Sequence, residues 1–524
     1  MPSLNTRSLL LPAALLSVLA AATPAPSPYP DPNPDPISPR HPEITPSAVE
    51  YHPTRTYRHR RDLGDVFSDV ESGVNSVLSD LGNLPSYVAS GIAPFFQDYP
   101  DSSAVQSSLS LSDSEVAALP TQVLNIDPYA NYTSQGWNVR FHGNVYKQPD
   151  ISNDTLNDLA NVFLPDVDIE DLPQSQADQA RNLTASIFVL QQGDVNVSTI
   201  NLEPAPMQGS SGEDGGGGAV TPSGGSQQVT LPYPTTDQGD FDVFVPIDGA
   251  GLMNGNETQQ IQRLNTHVEG ASIGNSTAYL VPNEGITIVS DIDDILRVTK
   301  IYEPEKGLLN SFARAFRPWM NMPEIYANWS SSLPDMHFHY LTTTPEQVTR
   351  TYMQFIYSTY PGGSFDTRPL NFSNWQETLH VRKFLLEKVL QTFPNRKFIL
   401  VADTSNSDVM SAYPEMAVKY PDQVQCIWLR NTSATDPGDR FPYDTSGFEN
   451  LKQEKYMFFT VPNDLTNLDV ENGECYNKSI KQNVTFSYQG LPFGLGDDSA
   501  AALVKAQTGL MFAVFLGTLV WNLM

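Results

Sequence analysis

Residues 285–298 read Gly285-Ile-Thr-Ile-Val-Ser-Asp-Ile-Asp-Asp-Ile-Leu-Arg-Val298. The apolar, β-branched run Ile286, Thr287, Ile288, Val289 predicts a buried strand. Just past Ser290 the strand runs out into Asp291 and Asp293, two carboxylates one residue apart. In open α/β sheets, ligands bind at the carboxyl ends of strands. Two acids placed there can supply a nucleophile, a proton relay and a metal ligand together.

Downstream of this stretch, strands and helices alternate. Strands are expected at 286–290, 337–341, 397–402 and 423–429, and helices at 346–358, 377–392 and 407–419. That alternation predicts a doubly wound parallel α/β sheet. Its strand ends would bring Asp291, Thr342 and Asp403 to one edge, with Asp408 five residues beyond Asp403. On the helix that starts near Glu377, Arg382 shares a face with Leu386, Val389, Leu390 and Phe393. Lys383 stands about 100° away, toward solvent, so Arg382 is the basic residue expected to point inward. His337 and His339 share the face of their strand opposite Phe338, with no third ligand evident, and read as core or cap residues. Met320, Met322 and Tyr326 read as an apolar packing patch in the insertion after the first strand.

Upstream, residues 120–285 have a different texture. Segments such as Trp137–Tyr146 and Ala185–Leu190 alternate or are rich in β-formers, with turn signals between them. They predict a small β-rich, sandwich-like domain. Its Gly-rich stretch, 209–225, follows no strand and precedes no Gly-Lys-Ser/Thr. It reads as a loop, not a phosphate cradle.

Composition excludes some partners. With 59 acidic against 30 basic residues in 524, the formal charge is −29. Nucleic-acid binding needs a basic face, and adsorption to an anionic membrane by charge alone needs the same. Two cysteines, Cys426 and Cys475, can make at most one disulfide.

The termini suggest a compartment. Residues 1–22 have the form of a secretory signal peptide: one positive charge, the apolar run Leu9–Ala21, then small residues. Residues 23–61 are Pro-rich and end in Arg58-His-Arg-Arg61, a dibasic processing site or simply a basic patch. Residues 62–119 open with Leu63, Val66, Val70, Val74, Val77 and Leu81 at helical spacing. Eleven Asn-x-Ser/Thr sequons, at Asn131, Asn153, Asn182, Asn196, Asn256, Asn275, Asn328, Asn371, Asn431, Asn477 and Asn483, fit N-glycans on a secreted chain. After an extension, 471–501, the small cluster near 496–501 and the apolar tail in 502–524 have the form of a GPI-anchor signal. A membrane-spanning tail and a packed C-terminal helix are the alternatives. The expected product is a cell-surface or secreted glycoprotein held to the membrane through a lipid.

Four stretches carry a more specific likeness: Ile286-Thr-Ile-Val-Ser-Asp-Ile-Asp-Asp294, Phe338-His-Tyr-Leu-Thr-Thr-Thr-Pro345, Pro361-Gly-Gly-Ser-Phe365 and Phe393-Pro-Asn-Arg-Lys-Phe-Ile-Leu-Val-Ala-Asp403. In this order they resemble the haloacid-dehalogenase-type phosphatases, and within them the fungal actin-patch phosphatidate phosphatase family. The likeness covers roughly 280–440, and the expected catalytic domain is 286–470. It implies a Mg²⁺-dependent phosphomonoesterase acting on phosphatidate, a phosphorylated lipid, with a different extracellular phosphomonoester as the alternative substrate. Asp291 would be the nucleophile that forms an aspartyl-phosphate, and Asp293 the acid and base. Thr342 and Arg382 would bind the transferring phosphoryl group. Asp291, the Asp293 carbonyl, Asp403 and Asp408 would hold the metal through hard oxygens. Three letters depart from the family: Ile295 replaces Thr, Arg382 stands for a Lys, and Glu346 replaces an aromatic residue. They keep open a second reading, a catalytically impaired surface protein of the same fold with a binding or structural role.

Overall fold

The computed structural model describes residues 102–164, 167–205, 225–333, 335–368, 375–436, 445–480 and 482. The expected signal peptide, Pro-rich segment, helix over 62–97, most of the Gly-rich loop and the anchor signal lie outside the described residues.

After two short helices (Ser102–Ser108 and Asp113–Ala118), nine strands make one mostly antiparallel sheet among the described residues. They are β1 (Thr121–Ile126), β2 (Tyr129–Thr133), β3 (Gly136–Lys147), β4 (Leu190–Gln191), β5 (Ile200–Ala205), β6 (Gln227–Val229), β7 (Asp240–Pro246), β8 (Gln262–Val268) and β9 (Asn275–Leu280). Strand β3 organises them, pairing with β1 and β2 along one edge and with β4 and β7 along the other. A side chain at Gly143 would collide with the carbonyl of Leu124, so the close β1–β3 approach requires glycine there. Trp137, Val139, Phe141 and Val145 of β3 share one apolar cluster with Val229 of β6 and Phe241 of β7, from opposite ends of the pairing order. The sheet therefore curls over its own apolar face. Where a two-sheet sandwich was expected, one continuous sheet is found.

Two helices interrupt this region, α1 (Asn153–Phe163) and α2 (Gln174–Ile187). Ala185–Leu190, read as a strand from its β-formers, is corrected: the helix runs through Ile187, and only Leu190–Gln191 pair with β3. Ala177, Ala180, Thr184 and Ile187 are buried on one face of α2. That longer helical period overrides a six-residue composition signal.

The second sheet is wholly parallel: β10 (Ile286–Ser290), β11 (His337–Pro345), β12 (Ser364–Arg368), β13 (Lys397–Asp403), β14 (Val424–Arg430) and β15 (Tyr456–Phe459). Their order, β12-β11-β10-β13-β14-β15, reverses between β10 and β13. Helices α3 (Pro304–Phe312), α4 (Met322–Ser332), α5 (Glu346–Thr359), α6 (Trp375–Thr392) and α7 (Ser407–Lys419) connect the strands. One face (Val289, Leu400, Leu429) packs on Leu386, Val389 and Met416 of α6 and α7. The other (Ile288, Tyr340, Trp428) packs on Ile325 and Tyr326 of α4 and Ile356 of α5. Burial on both faces is why these strands read as unbroken apolar runs. Met322 and Tyr326 are buried as expected, whereas Met320 is exposed. Cys426 of β14 is bonded to Cys475, tying residues beyond β15 back to the sheet.

The two sheets meet across a buried ionic network. The polar face of β3 presents Arg140, whose guanidinium grips Asp242 of β7 at 2.8 and 2.9 Å and Asp366 of β12 at 2.6 Å. Lys388 of α6 adds a 2.6 Å bond to Asp242. His337 and His339 lie beside this seam, both at 2.8 Å from Ser364 Oγ. They are buried structural residues, as their spacing suggested.

Candidate active site

The reversal between β10 and β13 leaves a crevice at the carboxyl ends of the two central strands, where α/β sheets bind ligands. Asp291 leaves β10 there, its amide 2.8 Å from the carbonyl of Val401 on β13. Its Oδ1 accepts from the Ile292 amide at 2.8 Å, and its Oδ2 from Arg382 Nη2 at 3.0 Å. Burial pushes the Asp291 carboxyl up to about 7, although Arg382 pulls the other way. Arg382 is itself buried, and its Nε lies 3.0 Å from Asp408 Oδ2 in the first turn of α7. Lys383 pairs instead with Glu415 at 2.6 Å, on the outer side of the helix. The choice between the two bases, made from helical spacing, matches this placement.

Asp403 ends β13 and is fully buried. Its Oδ1 accepts from the amide and hydroxyl of Ser405, and its Oδ2 has no partner. Burial first, then the neighbouring Asp294 and Asp291, lift its carboxyl well above the usual range. Thr342 is buried, with Oγ1 accepting from the Thr344 amide at 3.1 Å. It does not follow the strand as expected: β11 continues to Pro345, and the register against β12 shifts between Leu341 and Pro345. Thr342 sits inside that irregularity, a device that re-aims side chains beside active sites.

Asp293 is held by four donors. Arg297 Nε (3.0 Å), Thr299 Oγ1 (2.6 Å) and Tyr352 OH (3.1 Å) reach Oδ1, and Thr344 Oγ1 (3.3 Å) reaches Oδ2. The Arg297 guanidinium packs over the rings of Phe316 at 4.0 Å and Tyr352 at 4.3 Å, which meet each other edge to face. Sequence reasoning missed all four partners. Arg297 carried a usable signal, four residues after Asp293 in one loop, whereas Tyr352 and Thr344 arrive from other elements.

The third acid of the motif is structural. Asp294 adopts φ 54° and its carboxylate receives the amides of Thr299, Lys300 and Ile301 at 3.0, 2.7 and 2.9 Å. Its carbonyl accepts from Arg430 at the end of β14. Ile295, the irregular letter, is fully buried in the apolar cluster with Ile292 and Trp319. Glu346 is buried at the start of α5. Among the described residues, no three His, Cys, Asp or Glu side chains converge as a self-sufficient metal set.

Residues 286–431 match the family model described as phosphatidate phosphatase APP1, catalytic domain. Phosphatidate phosphatase APP1 of Saccharomyces cerevisiae is 28% identical to the chain over 177 residues, 32% of this chain and 30% of that protein. The chain thus matches less than a third of the length of that relative. The match spans Asp291, Asp293, Thr342, Arg382 and Asp403, all the groups the fold gathers at the switch point. Residues 286–431 are thus similar to the catalytic domain of phosphatidate phosphatase APP1.

Proposed function

We propose that this protein hydrolyses phosphatidate to diacylglycerol and phosphate by the haloacid-dehalogenase route. The observation that carries the reading is the buried Asp291, joined to Arg382 at 3.0 Å beside Asp403, at the switch point of a parallel sheet. Asp291 attacks phosphorus, the bond to the glycerol oxygen breaks, and Asp293 delivers the proton that the alkoxide takes. Asp293 then accepts a proton from the water that attacks the aspartyl-phosphate, freeing phosphate and restoring Asp291. The four donors around Asp293 fix its orientation for both transfers. Arg382 holds Asp291 in place and meets charge on the phosphoryl oxygens with a planar fork. Thr342 offers its hydroxyl to the same group.

The residues present fit a divalent cation. The carboxylates of Asp291 and Asp403 are buried and pushed up, and Asp403 Oδ2 has no partner. Mg²⁺ held by Asp291, Asp403 and the Asp293 carbonyl would offset the repulsion between a carboxylate and an anionic phosphate. Asp408 is committed to Arg382 through Oδ2; we assign it to orienting that guanidinium. The cell-surface reading gains support from the Cys426–Cys475 disulfide, which suits an oxidising compartment. Six sequon asparagines (153, 182, 196, 256, 275 and 328) are also exposed.

The test is phosphate release from phosphatidate by the full chain, with Mg²⁺ and with chelator, beside Asp291→Asn. Turnover that requires the metal and disappears in the variant is expected. Turnover that survives either treatment would sink the mechanism.

A further inference from the structure

We propose that the exposed rim 315–320 of the active site is the surface on which this protein meets a lipid bilayer; the inference rests on the phosphatidate reading above. The segment reads Ala315-Phe-Arg-Pro-Trp-Met320. It is tied directly to the loop that bears the catalytic acids: Val298 N reaches Arg317 O at 3.0 Å, and Trp319 N reaches Leu296 O at 3.0 Å. Its inward side chains cover the site's own cations. Phe316 lies 4.0 Å from the Arg297 guanidinium that holds Asp293. Trp319 lies 4.1 Å from the Arg430 guanidinium, which bonds the Asp294 carbonyl. The segment therefore runs along the carboxyl edge of the parallel sheet, where a substrate enters.

Its outward side chains have a different character. Arg317 and Pro318 are exposed, and Met320 is 57% exposed. Met320 also adopts φ 47°, a left-handed conformation that residues other than glycine rarely take. Backbone strain of this kind gathers at ligand-contacting sites. Here it accompanies an apolar side chain that gains nothing by facing water. Among the described residues Arg317 forms no ion pair, in a chain whose formal charge is −29. An apolar side chain beside an uncommitted arginine matches an interface with an acyl layer below and anionic headgroups above. A water-soluble phosphomonoester would need neither. The occupant is thus a bilayer containing the anionic lipid, with Met320 entering the acyl boundary and Arg317 at the phosphates.

The experiment uses the full chain, freed of any lipid anchor, and compares wild type with Met320→Glu, Arg317→Glu and the conservative Met320→Leu. Flotation with phosphatidylcholine vesicles doped with phosphatidate reads binding. Turnover on those vesicles and on soluble p-nitrophenyl phosphate separates interface from chemistry. Met320→Glu and Arg317→Glu are each expected to weaken vesicle binding and raise the vesicle KM by about tenfold, from lost apolar burial and reversed charge. Turnover of the soluble ester stays unchanged, and Met320→Leu restores binding. Vesicle binding unchanged in both charge variants would overturn the proposal. Equal losses on soluble and vesicle substrates would overturn it as well. A wild type that floats through Met320 yet hydrolyses no phosphatidate would refute the functional reading while leaving the rim assignment standing.

Discussion

Replacing Arg140 with Met tests whether the seam between the two sheets is held by charge. Arg140 is 1% exposed and makes three short carboxylate contacts, two to Asp242 and one to Asp366, with Tyr129 OH at 3.2 Å. Methionine preserves the apolar stem but leaves Asp366 with only His142 and His339, each at 3.5 Å. In the wild type burial first and then Arg140 push His142 down to about 3; the variant keeps the burial, the larger cause, so His142 stays a weak counter-charge for Asp366. Removing one partner of a buried ion pair strands the other, at a cost of about 3–5 kcal/mol. Urea unfolding of Arg140→Met at pH 7 should show a loss of that order. The double variant Arg140→Met/Asp366→Asn should recover most of it, because Asp242 keeps Lys388 at 2.6 Å and no uncompensated charge remains. The pH dependence has a definite sign. Burial raises the Asp242 carboxyl, but Arg140 and Lys388 overcome that and hold it at about 2, below its ordinary 3.8. A depressed carboxyl stabilises the fold above pH 3.8 and loses that contribution as pH falls through 2. Wild type and Arg140→Met should therefore converge in strong acid. A loss under about 1 kcal/mol at pH 7, the value of an exposed pair, or no rescue in the double variant, would refute the reasoning.

Other outcomes are expected. Arg382→Met should lower kcat by about 10²–10³, as for a lost charge-stabilising donor, while Lys383→Met should leave kcat near wild type. Changing Cys426 and Cys475 to Ala opens a link across a sequence separation of 49 and should cost about 4 kcal/mol in urea melts by loop entropy. In chelator, Asp291 keeps its proton in the fold up to about pH 7 but loses it near 3.8 when unfolded. Its contribution to stability should thus fall as pH rises between those values, and level off above; Asp291→Asn or added Mg²⁺ should remove that slope. Asn131 is buried, with Nδ2 3.3 Å from Thr392 O. Glycopeptide mass spectrometry should find it unmodified while exposed Asn153 and Asn256 carry glycans.

Local chemistry determined much of the catalytic sheet. Strands buried on both faces announce themselves as apolar runs, so β10, β13 and β14 were placed to within one or two residues, as was α7. The same holds for Arg382 over Lys383, because a helix face is a periodic property of sequence. Two strands were missed for opposite reasons. Ser364–Arg368 is polar, since its Asp366 is buried by pairing with Arg140, 226 residues away. Tyr456–Phe459 is only four residues long, too short for a pattern. In the antiparallel region the alternating strands were visible, but their closure into one curled sheet depends on pairings between distant segments.

The candidate site divides along the same line. Asp291, Asp293 and Asp403 were legible because each lies at the end of an apolar strand or just beyond it, where chain direction alone sets the edge, whereas Thr342 lies inside β11 and not past its end. What each acid experiences was not. Tertiary packing makes Asp294 a structural anchor for three amides, lifts Asp403 by burial, and surrounds Asp293 with donors from three separate elements. It also splits an apparent apolar patch, sinking Met322 and Tyr326 and turning Met320 outward. The sequence by itself determined which residues reach the carboxyl edge of the sheet, because strand and helix periods are local. Only the tertiary structure decided their partners and charge states, because desolvation and hydrogen bonding depend on groups far apart in the chain.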